Sequence, residues 1–254
     1  MNPIFGRLSI GWQLLFHFII FAIFAFDITY HDYYFNIPGG RGYGGKWKYL
    51  TVWDVLVQCV FFMVCCFDDV TMLISRHDRP LKKASDNFFS CLAFPLGVFV
   101  SVSFWILYTL DNELVIPADV APYYPLWLNH LDHSGPIVVM LAEAYLCYHQ
   151  YPSKAFGLTL ISLFALVYLM WVLYLAWAAG IWVYPFLDKF SAIERATFIT
   201  GSVFVFWFFY LSGHLMNSLL WRKRAGEEVD DNEDGPGAKD EHEPNPNTDN
   251  VPLQ

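Results

Sequence analysis

Six apolar stretches, each long enough to cross a bilayer as a helix, dominate this sequence of 254 residues. A transmembrane helix needs about 20 predominantly apolar residues to cross a hydrocarbon core about 30 Å thick. The predicted spans cover residues 8–26, 50–74, 88–110, 127–147, 155–178 and 198–221. The composition agrees, since 56% of the residues are hydrophobic and 19% are aromatic. The sequence therefore predicts an all-α, polytopic integral membrane bundle of six transmembrane helices.

Acidic residues are concentrated at the C-terminal end of the chain. Residues 225–254 hold ten of the 24 acidic residues but only one of the 15 basic ones, so the remaining charges balance despite the net charge of -9. This tail is almost free of apolar residues, which predicts a disordered acidic tail after a transmembrane domain of residues 1–224. No basic patch indicates nucleic-acid binding.

The basic residues between the predicted spans suggest an orientation. Nine lie on the side of the bundle that carries both termini, and five lie on the other side. Positive residues are in excess on the cytosolic side of membrane proteins, so both termini are predicted to be cytosolic. The sequence does not distinguish the plasma membrane from an endomembrane.

The five cysteines lie in apolar segments, and no two of them form a C-x-x-C pair. This pattern favours buried free thiols over a disulfide framework or a zinc site. They are Cys59, Cys65, Cys66, Cys91 and Cys147.

Two polar clusters begin the second and fourth predicted spans, which enter the membrane from the same face. Thr51, Asp54 and Gln58 follow the spacing i, i+3, i+7, which puts them on one stripe of a helix. Asn129 and His133 are four residues apart and share a face. Placing a polar side chain at membrane depth costs free energy, so such residues are first interpreted as functional. We therefore expect the two stripes to meet inside the bundle.

The residue types in these stripes suit nucleophilic catalysis. An imidazole can take the proton of a hydroxyl as that hydroxyl attacks a carbonyl, and can then pass it to the leaving group. Thr51 and His133 are the candidate pair. A third group usually orients the imidazole, and both Asn129 and Asp54 fit that role by spacing.

Simpler interpretations exist for the same residues. Thr51-x-x-Asp54 matches a capping box, a common way to begin a helix, and spacing alone favours this interpretation. The imidazoles could instead bridge helices or lie at the membrane interface. Further along the fourth span, Pro136 predicts a kink beside His133, and Glu143 is expected to be a paired structural carboxylate or an edge residue.

A metal site is a further alternative. His130 and His133 could share an ion with Asp132 or Asp54, but the H-E-x-x-H motif is absent and a third imidazole would have to come from another helix. A metal site requires a full set of ligands. The sequence therefore predicts neither a metal nor a cofactor.

Five segments together resemble the androgen-induced and androgen-dependent TFPI-regulating protein family. They are GGKWKYLTVWD, LAFPLGVFVSVSFWILY, WLNHLDH, YHQYPSKAFGLT and GIWVYPFL, in that order, between about residues 44 and 222. The resemblance implies a six-span membrane hydrolase of fatty acid esters of hydroxy fatty acids. It also implies that Thr51, in the W-K-[FY]-L-T motif, is the nucleophile and that His133, in the W-L-N-H-x-x-H motif, is the second catalytic residue.

The sequence thus leads to an expected function and one rival. We expect a multi-pass membrane esterase that takes a branched lipid ester from the bilayer, with the catalytic pair within the domain of residues 1–224. The rival is a non-catalytic lipid-binding or regulatory membrane protein whose pocket holds a lipid without turning it over.

Overall fold

The computed structural model describes residues 7–33, 42–75, 79–116 and 121–222. Its α-helices are α1 (Ile10–Tyr33), α2 (Leu50–Ser75), α3 (Lys82–Phe88), α4 (Phe94–Leu110), α5 (Leu126–His133), α6 (Gly135–Leu146), α7 (Lys154–Ala179), α8 (Pro185–Lys189) and α9 (Ala192–Leu220). These ranges contain no β-strand, which confirms the all-α class. The predicted acidic tail at 225–254 lies outside the described residues.

Five helices are long and apolar enough to cross a membrane: α1, α2, the helix Lys82–Leu110, α7 and α9. The third of these joins α3 to α4 through a π-helical turn at Phe89–Ala93. The first span was predicted to stop at residue 26, but α1 continues to Tyr33. Within the added turns, Asp27 is completely buried and His31 is half-buried.

The fourth predicted span is divided into α5 and α6 at Ser134. Pro136 has no N–H to donate and lies in the first turn of α6, so the helix is interrupted beside His133, where the kink was predicted. The N–H of Ile137 donates instead to Ser101 Oγ at 3.3 Å, and Trp105 Nε1 donates to Ser134 Oγ at 3.1 Å. Side chains of α4 therefore stabilise the break, which leaves His133 as the last residue of a short helix.

Packing between helices holds the bundle together. In lipid, tight packing and interhelical hydrogen bonds drive helix association, because lipid tails are as apolar as the side chains. α1 packs along α2, and α4 packs against both α6 and α9. The largest cluster of buried apolar side chains includes Phe24, Phe61, Phe62, Phe94 and Met140. Many large apolar side chains on the outer faces remain exposed in the isolated chain, as in a membrane protein.

Gly157 permits the close approach of α7 to α9. A Cβ atom added there would lie 2.2 Å from Tyr210 Oη, and the Tyr210 side chain is completely buried. We expect Gly157→Ala to lower the free energy of unfolding by about 1–3 kcal/mol, because overpacking forces neighbouring groups to move. Gly11→Ala is the matched control, since nothing lies within 4 Å of its added Cβ. Equal melting temperatures for both variants in detergent would contradict this expectation.

All five cysteines are free. Cys65, Cys91 and Cys147 are buried, whereas Cys59 and Cys66 are half-buried. The prediction of free thiols is confirmed, and burial holds for three of the five.

Candidate active site

A cavity of about 1070 Å³ opens at the end of the bundle where α2 begins. Its walls are mostly apolar and come from α2, α4, α7 and α9, with side chains such as Val100, Phe164 and Phe206. Thr51 and His133 both line this cavity. One residue of each predicted stripe therefore reaches the same space, which could accept a lipid-like ligand.

Thr51 is half-buried and lies within the first turn of α2, which begins at Leu50. It is therefore not an N-cap, and the capping box suggested by its spacing to Asp54 does not form. Asp54 Oδ1 instead accepts a hydrogen bond from Gln58 Nε2 at 2.8 Å. Within the described part of the chain the Thr51 hydroxyl makes no hydrogen bond, so it remains available in the cavity.

His133 is 6% exposed and packs edge-on against Phe104, with ring centroids 3.5 Å apart. Its Nδ1 is buried and has no hydrogen-bond partner among the described residues. Neither Asn129 nor Asp54 orients it, and each of these buried side chains has one oxygen without a partner there. No hydrogen bond joins His133 to Thr51 in this part of the chain. The pair thus shares a cavity without direct contact.

A second polar cluster borders the cavity beside His133. His31 Nε2 lies 3.1 Å from Asp132 Oδ2 and 3.2 Å from Asp132 Oδ1, and it lies 3.4 Å from Asp27 Oδ1. Tyr124 Oη donates a short hydrogen bond to Asp132 Oδ2. Burial and the adjacent Asp132 charge raise the pKa of Tyr124 well above its usual value, so the phenol keeps the proton that it donates.

The hypothesis of a metal site on His130 and His133 is not supported by their positions. His130 is exposed, stacks on Trp105 and lies 3.2 Å from Ser134 Oγ through its Nδ1. His133 is buried on another side of α5. Asp132 faces α1 instead, toward Asp27 and His31. Asp27 and His31 were not predicted as site residues, because the predicted first span ended at residue 26; in α1 they are spaced i, i+4.

At the opposite end of the bundle, eight ionisable side chains form a row that we call the buried charge chain. Basic and acidic side chains alternate along the row, and adjacent members lie 2.5–3.1 Å apart. In order they are Lys82, Asp86, His149, Glu143, His17, Asp69, Arg79 and Asp68. The row ties α1, α2, α3 and α6 together.

Glu143 stands at the centre of the buried charge chain and is fully buried. His149 Nε2 lies 2.8 Å from Glu143 Oε1, and His17 Nε2 lies 3.1 Å from Glu143 Oε2. The Nδ1 of each ring faces a second carboxylate, Asp86 for His149 and Asp69 for His17. Each imidazole therefore lies between two carboxyl groups, with one ring nitrogen within hydrogen-bond distance of each. The expectation of a paired structural carboxylate at Glu143 is confirmed.

Comparison with known proteins connects the chain to one family. The model of the family described as FAR-17a/AIG1-like protein matches residues 12–218. The human androgen-induced gene 1 protein is 38% identical over 195 residues, which cover 73% of this chain and 82% of that protein. The human androgen-dependent TFPI-regulating protein is 33% identical over 216 residues, covering 82% of this chain and 92% of that protein.

The similar regions include α5 and the start of α2, so the resemblance predicted from the sequence motifs is confirmed. No solved structure matches the chain.

Proposed function

We propose, from the premise that this chain belongs to the FAR-17a/AIG1-like protein family, that it is a membrane hydrolase of fatty acid esters of hydroxy fatty acids. The observation that carries the proposal is that Thr51 and His133 line one apolar cavity. The resemblance of their two motifs to those of membrane hydrolases supplies the reaction and the substrate class.

The reaction follows from the properties of the two side chains. Thr51 Oγ attacks the ester carbonyl carbon while His133 takes the hydroxyl proton. The tetrahedral intermediate then expels the hydroxy fatty acid, whose oxygen receives that proton, and an acyl-threonine remains. A water molecule that gives a proton to His133 attacks the acyl group and releases the fatty acid. Thr51 recovers its proton, so no external oxidant or reductant is consumed.

The cavity suits a long lipid. At about 1070 Å³ it is at the upper end of the range for ligand pockets. Its polar groups lie near the start of α2, while α4, α7 and α9 supply apolar walls for acyl chains. A lipid entering sideways from the leaflet could hold its ester near the membrane surface with its chains among the helices. This arrangement fits an ester that lies within a branched lipid.

The orientation follows from the loop charges. With nine basic residues on the side of the termini and five on the other, both termini face the cytosol. The cavity end of the bundle then faces away from the cytosol, in the plasma membrane or an endomembrane. The domain of residues 1–224 carries the hydrolase, and the acidic segment of residues 225–254 lies on the cytosolic side.

Thr51→Ala tests the nucleophile. We expect purified Thr51→Ala to hydrolyse a fatty acid ester of a hydroxy fatty acid at least about 100-fold more slowly than wild type, because no other group replaces the attacking oxygen. Hydrolysis is measured by release of both acids, with melting temperatures to confirm folding.

Thr71→Ala is the matched control. Thr71 lies on the same helix, but its hydroxyl donates to the Phe67 carbonyl at 2.7 Å and is not part of the cavity. Full activity in Thr71→Ala and loss in Thr51→Ala support the proposal. Full activity in Thr51→Ala would overturn the threonine mechanism. Saturable lipid binding without turnover by wild type would favour the non-catalytic rival.

A further inference from the structure

Three ionisable side chains from α1 and α5 converge beside the cavity. One donor atom from each of Asp27, His31 and Asp132 lies within 4.8 Å of the other two. His31 Nε2 is 3.4 Å from Asp27 Oδ1 and 3.1 Å from Asp132 Oδ2. Two ligands at zinc–ligand distances of about 2.0–2.1 Å and a tetrahedral angle are about 3.3 Å apart. The two separations from His31 Nε2 therefore match those between ligands of a shared metal ion.

The hydrogen bonds leave part of this cluster unsatisfied. The Nε2 of an imidazole carries at most one proton, yet carboxylates of both Asp27 and Asp132 face His31 Nε2. Asp132 also receives the Tyr124 hydroxyl. Asp27 is 0% exposed, and neither of its oxygens accepts a hydrogen bond from any described residue.

Two adjacent buried carboxylates need a neutralising partner. An unpaired buried charge costs several kcal/mol, and a second like charge beside it adds repulsion. Lys46 lies near this end of α1, but its Nζ is 2.5 Å from Asp32 and donates to the Ile28 carbonyl at 3.3 Å. A cation held between Asp27 and Asp132 would satisfy the orphaned oxygens and the charge together.

The geometry points to a divalent metal site formed by Asp27, His31 and Asp132 at the edge of the cavity. An imidazole with two carboxylates suits zinc, manganese or ferrous iron better than magnesium or copper(I). Tyr124 orients the Asp132 ligand from outside the site, as hydrogen bonds to metal-binding carboxylates commonly do.

His31 and Asp132 also line the cavity. A further coordination position of the ion can therefore face the cavity, where water or a ligand carboxylate could bind. Three protein ligands with one open position are typical of reactive rather than structural zinc sites. The proposal concerns metal binding alone and does not depend on ester hydrolysis.

Metal content of the purified full-length chain tests this site. Wild-type protein in detergent is incubated with zinc, dialysed without chelator and analysed by mass spectrometry of the metal. We expect about one zinc ion per chain. Asp27→Asn should lose it, because the amide keeps the shape of the side chain but removes the charge. The acidic tail is identical in both proteins, so zinc held there cancels in the comparison.

His130→Gln is the matched control, because this exposed imidazole lies on the same helix as Asp132 but outside the cluster. Zinc retained by His130→Gln and lost by Asp27→Asn supports the site. Absence of zinc from the wild type, or equal zinc in Asp27→Asn and the wild type, overturns it. Equal zinc in Asp27→Asn and the wild type is the result expected if Asp27 and Asp132 share a proton in place of a metal ion.

A measurement on the wild type alone covers the case in which Asp27→Asn does not fold. Cobalt(II) in a four-coordinate site gives strong visible absorption bands that zinc should abolish by competition. Binding to the folded state alone should also raise the melting temperature with zinc concentration. Zinc that bound the folded and unfolded chains equally, outside the proposed site, would leave the melting temperature unchanged. A wild type that shows neither the bands nor the rise overturns the site.

Discussion

Replacing His133 by alanine is expected to slow hydrolysis of the lipid ester by about 10²–10⁴-fold, the usual contribution of a positioned general base. His133 and Thr51 act on the same proton in the proposed reaction, so their effects should not multiply. The double variant Thr51→Ala/His133→Ala should therefore be no slower than the slower single variant. Rates are compared at equal amounts of folded protein in detergent.

The matched control is His130→Ala. His130 is three residues away on the same helix and exposed, and its imidazole stacks on Trp105. It should keep nearly full activity. His133 also packs on Phe104, so the melting temperature of His133→Ala must be measured to separate lost packing from lost chemistry. A double variant slower than either single variant by the product of their effects would show that the two residues act independently.

Replacing Glu143 by alanine is expected to destabilise the fold more than any other single change considered above. It removes the carboxylate that lies between His17 and His149 in the buried charge chain. Breaking a buried ion pair typically costs about 3–5 kcal/mol, because the partner charge stays buried without compensation. Here two buried imidazoles lose a partner at once, so we expect a loss in the upper part of that range. Unfolding in detergent with a chemical denaturant measures it.

Glu113→Ala is the control for removing a glutamate. Glu113 is exposed beyond the end of α4, so its loss should change the free energy of unfolding by no more than about 0.5 kcal/mol. Glu143→Gln should fall between the two, because the amide keeps the volume but can accept only one of the two hydrogen bonds. If Glu143→Ala and the wild type unfold at the same midpoint concentration of denaturant, the buried charge chain contributes little to stability.

The sequence predicted those parts of the site whose residues recur with the period of a helix. Thr51, Asp54 and Gln58 lie on the inward side of α2, and Asn129 and His133 are both buried on α5, as their spacing required. The periodicity of the sequence could not predict which side chains make contact between helices. Neither Asn129 nor Asp54 hydrogen-bonds to His133, because adjacent stripes at one depth need not point at one another.

Two groups of residues were not predicted from the sequence, each for a different physical reason. Asp27 and His31 interrupt the apolar run that marks a span, so the predicted helix ended at residue 26 although α1 continues to Tyr33. The members of the buried charge chain pair over long sequence separations, and His17 and Glu143 are 126 positions apart. No local pattern encodes such a pairing, and only the packed bundle brings the partners together.

The break at Ser134 bears on how the chain enters the membrane during synthesis. α5 has eight residues and α6 has 12, so neither is long enough to be inserted alone as a spanning helix. Their buried acids, Asp132 and Glu143, each contact a histidine of α1, which the ribosome has made about 100 residues earlier. The buried acids of the fourth span therefore find their histidine partners on a helix that is synthesised first.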